Sequence, residues 1–175
     1  MKKLIISLLF LFCSVFSAFA QENVSTYHYN KVYDYRTDTI VPKKYHADSM
    51  LIFADKLIGI PYVSPGRDLS GFDCSGFTFY CFKPYDVILP YTAHEQAEIG
   101  KEVTLLEAKP GDLVFFRGAD INDHTVHHVA IVVSNATSKK GGRLKMIQSA
   151  SHGVHYDYLD NPYYHPRFIK IMRVR

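Results

Sequence analysis

The stretch that most constrains this chain is Gly71-Phe72-Asp73-Cys74-Ser75-Gly76-Phe77, which reads as a loop turning into a helix. Upstream, Gly66, Ser70 and Gly71 punctuate a loop. Asp73 is a good N-cap, since its carboxylate accepts the free N–H groups of a first helical turn. No breaker follows until Lys83, where Pro84 predicts the stop. Cys74 then occupies the first helical position, at the positive end of the helix dipole. A thiolate is favoured there and its pKa is expected to fall, which makes a nucleophile. A cysteine is equally a small apolar residue that suits a core, so the remainder of the chain has to decide between the two.

The N-terminus predicts export. Lys2 and Lys3 precede an apolar run from Leu4 to Phe16, and Ser17-Ala18-Phe19-Ala20 ends in an A-x-A pattern. This is the form of a secretory signal peptide over residues 1–20, cut after Ala20. The run is short for a membrane span, and Cys13 follows bulky Phe12, which argues against lipidation. No second long apolar run occurs, so no stable membrane anchor is expected. The expected place of work is periplasmic or extracellular.

Of the 175 residues, 155 remain after cleavage, enough for one domain with a sizeable core. Loss of Lys2 and Lys3 takes the formal charge from +3 to +1. A charge so near zero gives no argument for nucleic acid or for a strongly anionic partner. Cys74 and Cys81 are left. Seven residues along one helix separate them by roughly 10 Å, beyond disulfide reach. Cys81 is therefore expected in the core, and an unpaired thiol in an exported protein points to chemistry.

Residues 21–45 carry Tyr27, Tyr29, Tyr33 and Tyr35 at alternate positions, either a short strand or extended arm lying on the domain or a flexible leader. Ala47–Ile58 predicts a helix from Met50, Phe53, Ala54 and Leu57, ending at Gly59. Thr92 and Glu95 match a capping box for a short helix that reaches Gly100. Strands follow: Leu113–Phe116 after the turn Pro110-Gly111-Asp112, the β-branched His128–Val133, Leu144–Ser149, one starting at Val154, and Phe168–Val174. Helices first and antiparallel strands afterwards give the fold class α+β.

A cysteine nucleophile needs a base. The candidates are His94, His124, His127, His128, His152 and His155. His128 stands out, because it opens a buried strand directly after a polar loop. Strand alternation turns His127 to the opposite face.

These pieces carry a resemblance. Gly59-Ile60-Pro61-Tyr62, Phe72-Asp73-Cys74-Ser75-Gly76-Phe77, Leu89-Pro90, Gln96, Pro110-Gly111-Asp112-Leu113-Val114-Phe115-Phe116 and His128-Val129-Ala130-Ile131 stand in the order and spacing of the NlpC/P60 family of cell-wall cysteine peptidases. The resemblance runs from about residue 47 to the C-terminus, and it implies a catalytic domain over residues 46–175. It implies a papain-like core, with the cysteine on a helix packed against an antiparallel sheet that carries the histidine. It also implies hydrolysis of peptidoglycan stem peptides, most often at the bond between the γ-carboxyl of D-glutamate and a diamino acid. Neither cofactor nor metal is implied.

By the same resemblance a third polar residue stands one strand after the base, where this chain has Gln148. Positions 128 and 148 centre a hairpin on residue 138, inside the loop 135–142. His152, centring it on residue 140, is the rival. A glutamine oxygen can accept from the imidazole N–H and orient the ring. Tyr62 is expected beside the nucleophile, binding substrate or the oxyanion, although a tyrosine there could also be core. Asp73 and Ser75 either touch the substrate's free amine or stem, or only cap the helix. Asp112 is expected to shape its turn.

Two departures bear on specificity. Ser64-Pro65-Gly66 replaces a frequent Gly-Gly, and Tyr91 replaces an arginine that often follows Leu-Pro. The segment Gly118–Val126 is expected to form a wall of the groove. Three other readings use the same residues: a metal site on His124, His127, His128 and His152, a non-catalytic wall-binding module, and an amidase or acyltransferase on the same scaffold.

Overall fold

A computed structural model describes residues 31–34, 39–42, 45–137 and 139–175. The signal-peptide reading of residues 1–20 lies outside them, as do Tyr27, Tyr29 and Tyr35. Strands β1 (Lys31–Asp34) and β2 (Thr39–Pro42) pair antiparallel as a two-stranded sheet.

Helix α1 (Ala47–Asp55) follows the predicted apolar spacing, with Met50 and Ala54 fully buried. It ends earlier than Ile58, and the chain leaves through a turn at Gly59. Two-residue strands β3 (Arg67–Asp68) and β4 (Gly71–Phe72) form a small ladder. Helix α2 (Cys74–Phe82) follows immediately, buried along most of its length, Cys81 included. Pro84 does not end helical structure at once. A 3-10 turn over Lys83–Tyr85 takes it within the first turn, where the missing N–H costs nothing. Helix α3 (Ala93–Gln96) has the predicted Thr92–Glu95 capping box but stops well before Gly100.

The remaining strands are β5 (Lys101–Val103), β6 (Leu113–Arg117), β7 (Val126–Asn135), β8 (Leu144–Ala150), β9 (Gly153–Tyr158) and β10 (Phe168–Arg173). They form one antiparallel sheet in the order β5-β10-β6-β7-β8-β9. β5 is too short to have given an alternating pattern. Alternation along the strands gives the sheet two buried faces. Leu113, Phe115, Val129, Ile131 and Ile147 pack with α1 and α2. Val114, Phe116, Ala130, Val132 and Met146 pack under the loop residues Leu159 and Tyr164. The α+β class read from the element order holds.

The hairpin arithmetic needs correcting. β7 and β8 pair Ile131 with Ile147 and Val132 with Met146, with a register shift between Val132 and Ser134. Continued, this register sets Gln148 beside Ala130, not beside His128. Gln148 is the diagonal neighbour of His128 on the same face, a separation a long side chain spans.

Asp112 does shape its turn. Its carboxylate accepts from the Lys109 N–H and takes both Nε and Nη2 of Arg173 at 2.8 Å.

Candidate active site

The nucleophile corner is built from backbone outward. Asp73 caps α2 as predicted: Oδ1 accepts from Gly76 N at 2.7 Å, and Oδ2 accepts from Gly66 N at 3.0 Å. The loop at Gly66 therefore lies directly on the first helical turn. A Cβ on Gly76 would stand 1.9 Å from the Gly66 carbonyl oxygen, which is why position 76 carries none. Ser75 is buried, and its hydroxyl lies 2.9 Å from both Asp73 Oδ1 and the Tyr91 carbonyl. Buried Gln96 ties the helix from behind. It donates to the carbonyls of Ser75 and Pro90 and accepts from Thr78 Oγ1 at 2.7 Å.

Cys74 is 9% exposed, and its Sγ lies 3.9 Å from the His127 carbonyl oxygen at the start of β7. Burial pushes its thiol above the usual range, the Val129 N–H opposes this, and Asp73 adds to the rise. The expectation of a lowered pKa is therefore overturned. The N–H groups at the helix terminus do favour the thiolate, but removal from water costs it more.

His128 follows His127, whose carbonyl Cys74 Sγ approaches. His128 Nε2 and Gln148 Oε1 are 2.7 Å apart. Gln148 is fully buried and donates through Nε2 to Tyr164 Oη at 2.7 Å. The His128 ring stacks on Tyr164 with centroids 6.0 Å apart and packs against Phe116. Burial lowers the pKa of His128, the Gln148 bond opposes this, and His155 lowers it further. The two shifts both favour the neutral forms, thiol and imidazole. His152 makes no such contact. It is exposed, with Ser151 Oγ at 3.3 Å from Nδ1.

A cleft of about 630 Å³ opens beside His128. Tyr62, 41% exposed, lines it and is not a core residue. Burial raises its pKa, and the charge of a Cys74 thiolate raises it further. The Tyr62 segment is held from two sides: Val63 N and Phe72 N exchange bonds with Phe72 O and Pro61 O, while Gly59 N and Val154 N bond Val154 O and Ile60 O. Gly153, at φ 79°, has no room for a Cβ, which would stand 2.4 Å from Ile60 O. Cys74 itself does not line the cleft; it lies against the start of β7, whose His127 and His128 do.

His127 and His128 do diverge. His127 is exposed and bonds Asp123 at 2.8 Å. Among the described residues no group of three His, Cys, Asp or Glu is arranged to hold a metal ion. Tyr91, 54% exposed, lies under the Arg67 guanidinium at 4.0 Å, so an arginine stands next to the residue that replaces one. The sequence offers His155 only as one candidate base among six and gives no sign of Tyr164, Arg117 or Arg167. His155 is the cross-strand partner of Gln148, and the others come from distant segments with no local signal.

Comparison with known proteins agrees with this geometry. The family model described as "NlpC/P60 family" matches residues 59–173. A "Gamma-D-glutamyl-L-lysine dipeptidyl-peptidase" of Bacillus cereus is 33% identical over 101 residues, 58% of this chain and 30% of that protein. The chain thus spans less than a third of that relative's length. A "Probable endopeptidase" of Haemophilus influenzae is 35% identical, over 66% of this chain and 67% of its own. The crystal structure of the "NlpC/p60 domain of peptidoglycan hydrolase SagA" superposes with a TM-score of 0.60 at 25% identity, covering 74% of this chain and 99% of that one. Among the described residues no helix is long and apolar enough to cross a membrane. From its matched residues, its sheet and its cysteine-bearing helix, the chain belongs to the NlpC/P60 family.

Proposed function

We infer that this protein is an exported cysteine endopeptidase that hydrolyses peptidoglycan stem peptides or muropeptides at the γ-D-glutamyl–diamino acid bond. Residues 1–20 serve as its signal peptide, residues 21–45 as an arm or leader and residues 46–175 as the catalytic domain. It works in the periplasm or outside the cell. Cys74, His128 and Gln148 carry the reaction, and Tyr62, Asp73 and Ser75 carry the substrate. The observation that supports this most is the 2.7 Å contact from His128 to Gln148, made at the strand end against which Cys74 lies.

The chemistry follows from the donors and acceptors. Gln148 Oε1 has no proton to give, so His128 Nε2 donates to it and Nδ1 is the nitrogen free to accept. Nδ1 takes the Cys74 proton and the thiolate attacks the amide carbonyl. The oxyanion is met by the Cys74 N–H at the helix terminus and by the Tyr62 hydroxyl. His128 then gives its proton to the departing amine as the C–N bond breaks, leaving a thioester. Water, deprotonated by His128, releases the acid and restores the thiol. Gln148 orients the ring without supplying negative charge. Asp73 is largely spent on capping, with Oδ1 taking Gly76 N and Ser75 Oγ, but Oδ2, which takes Gly66 N, keeps a lone pair for the substrate's amine. Ser75, bonded to Asp73 and buried, acts through it.

Digestion of purified muropeptides, read by mass spectrometry, tests this reading. The expected products are the two fragments of the γ-D-glutamyl bond, unchanged by a chelator. Cleavage between sugar and peptide would mean an amidase instead. Retention on cell wall without cleavage would mean a binding module, and loss with chelator would mean a metal enzyme.

A further inference from the structure

Two arginines of the cleft take no part in the chemistry above. Arg117 ends β6, and Arg167 lies in the 3-10 turn His165–Arg167; both line the cleft with His128. Each has a buried Nε–H without a hydrogen-bond partner. Among the described residues neither pairs with a carboxylate, whereas Arg143 and Arg173 pair with Asp160 and Asp112. Their other nitrogens reach backbone only. Arg117 Nη1 donates to Ile121 O at 2.6 Å. Arg167 donates to Tyr163 O at 2.7 Å and to Ala119 O at 3.4 Å, with its guanidinium 4.1 Å from the Tyr163 ring centroid.

These bonds brace the segment 118–125 and hold the two guanidiniums in place. Bracing alone does not need two charges, and it leaves the Nε–H groups unmet, which is costly in a buried place. The lining offers them little balance. Its one carboxylate, Asp157, accepts from Tyr158 N and Asn161 Nδ2 and stands 4.0 Å from His155. Both residues line the cleft, and a guanidinium with no carboxylate partner is shaped to take one bidentately.

We propose that this end of the cleft is a subsite for a free carboxylate on the leaving-group half of the substrate, with Arg117 and Arg167 as its specificity-determining residues. The proposal rests on the hydrolytic reading given above. The side is set by proton transfer: His128 serves the departing amine, and Arg117 follows Phe116, the residue paired with His128 across β6 and β7. The opposite wall, with Cys74, belongs to the acyl half. Two carboxylates share the required chemistry. One is the α-carboxylate of a diamino acid at the end of the stem; the other is the second carboxylate of a dicarboxylic diamino acid.

Steady-state kinetics on four synthetic peptides separate them. Each is L-alanyl-γ-D-glutamyl followed by lysine, lysine α-amide, diaminopimelate, or diaminopimelate amidated at its second carboxylate. In the wild type, amidating the recognised carboxylate raises KM about tenfold or more and leaves kcat nearly unchanged. Arg117→Gln and Arg167→Gln raise KM by a similar factor on the free acid and not on its amide, and Arg→Lys at either position restores part of the loss. Equal wild-type KM on all four peptides overturns the subsite, even if a variant does not fold. Equal losses on acid and amide overturn it too, leaving only a loop brace. Failure of the wild type to cleave any of the four refutes the hydrolytic reading itself, and the subsite with it.

Discussion

The two walls that meet at Cys74 are built in opposite ways. On the cysteine side, polar side chains are spent inside the protein. Asp73 serves Gly66, Ser75 and Gly76, and Gln96 serves Thr78, Ser75 and Pro90. On the histidine side, a chain from Tyr164 through Gln148 to His128 ends at the cleft, where two guanidiniums keep unmet donors. The first wall fixes Cys74 by using up its hydrogen bonds. The second keeps hydrogen-bonding capacity for something that is not part of the protein. Rigidity and reactivity are divided between the two walls, so, Cys74 and Tyr62 themselves apart, damage should read as stability on the first and as turnover on the second.

On the histidine wall the largest departure should come from His128→Ala. Loss of the base is expected to lower kcat/KM by about 10³-fold or more. Next comes Gln148→Ala, with an expected drop in kcat of roughly tenfold to a hundredfold, a size seen when a residue acts by orienting another. His152→Ala should leave kcat within about twofold, a negligible change in barrier; the reverse order would transfer the orienting role to His152.

The pH profile sharpens the same point. The imidazole must be neutral to accept the thiol proton, so activity rises as pH climbs through the pKa of His128. Burial holds that pKa below its usual value, so the acid limb should fall below about pH 6.5. The Gln148 bond works in the raising direction, and Gln148→Ala should therefore move the limb to still lower pH.

On the cysteine wall the effects are smaller and are read as stability. Gly76→Ala forces a methyl group against the Gly66 carbonyl and should cost about 1–3 kcal/mol of unfolding free energy. Gln96→Ala leaves Thr78 and two carbonyls short of partners and should cost about 1–3 kcal/mol. If either variant instead kept its melting temperature and lost turnover, the division between the walls would be wrong. Tyr62→Phe should be the mildest, changing kcat/KM by about tenfold at most, because the Cys74 N–H remains to meet the oxyanion.

The same division explains what the sequence made legible. The Asp73 cap, the Thr92–Glu95 box and the β-branched run after His128 are local patterns, and they were readable because the forces behind them act within a few residues. The ordered motifs then identified the family. The histidine wall depends on register and on distant segments. The register at the loop end, continued, would set Gln148 opposite Ile131 and on the other face; the one-residue shift between Val132 and Ser134 instead sets it beside Ala130, on the face of His128. Tyr164, Arg117 and Arg167 reach the cleft only through tertiary packing, so no pattern near them announced it. The thiol's pKa was misjudged for a related reason: the helix terminus is visible in sequence, whereas the desolvation that outweighs it is not.

The most direct test of the nucleophile assignment is the rate of diamino acid release from an L-alanyl-γ-D-glutamyl-diamino acid peptide by wild type and by Cys74→Ala, with matched circular dichroism. The wild type should release the diamino acid and the variant should release none above background. A variant that cleaves the same bond at the wild-type rate would contradict the account.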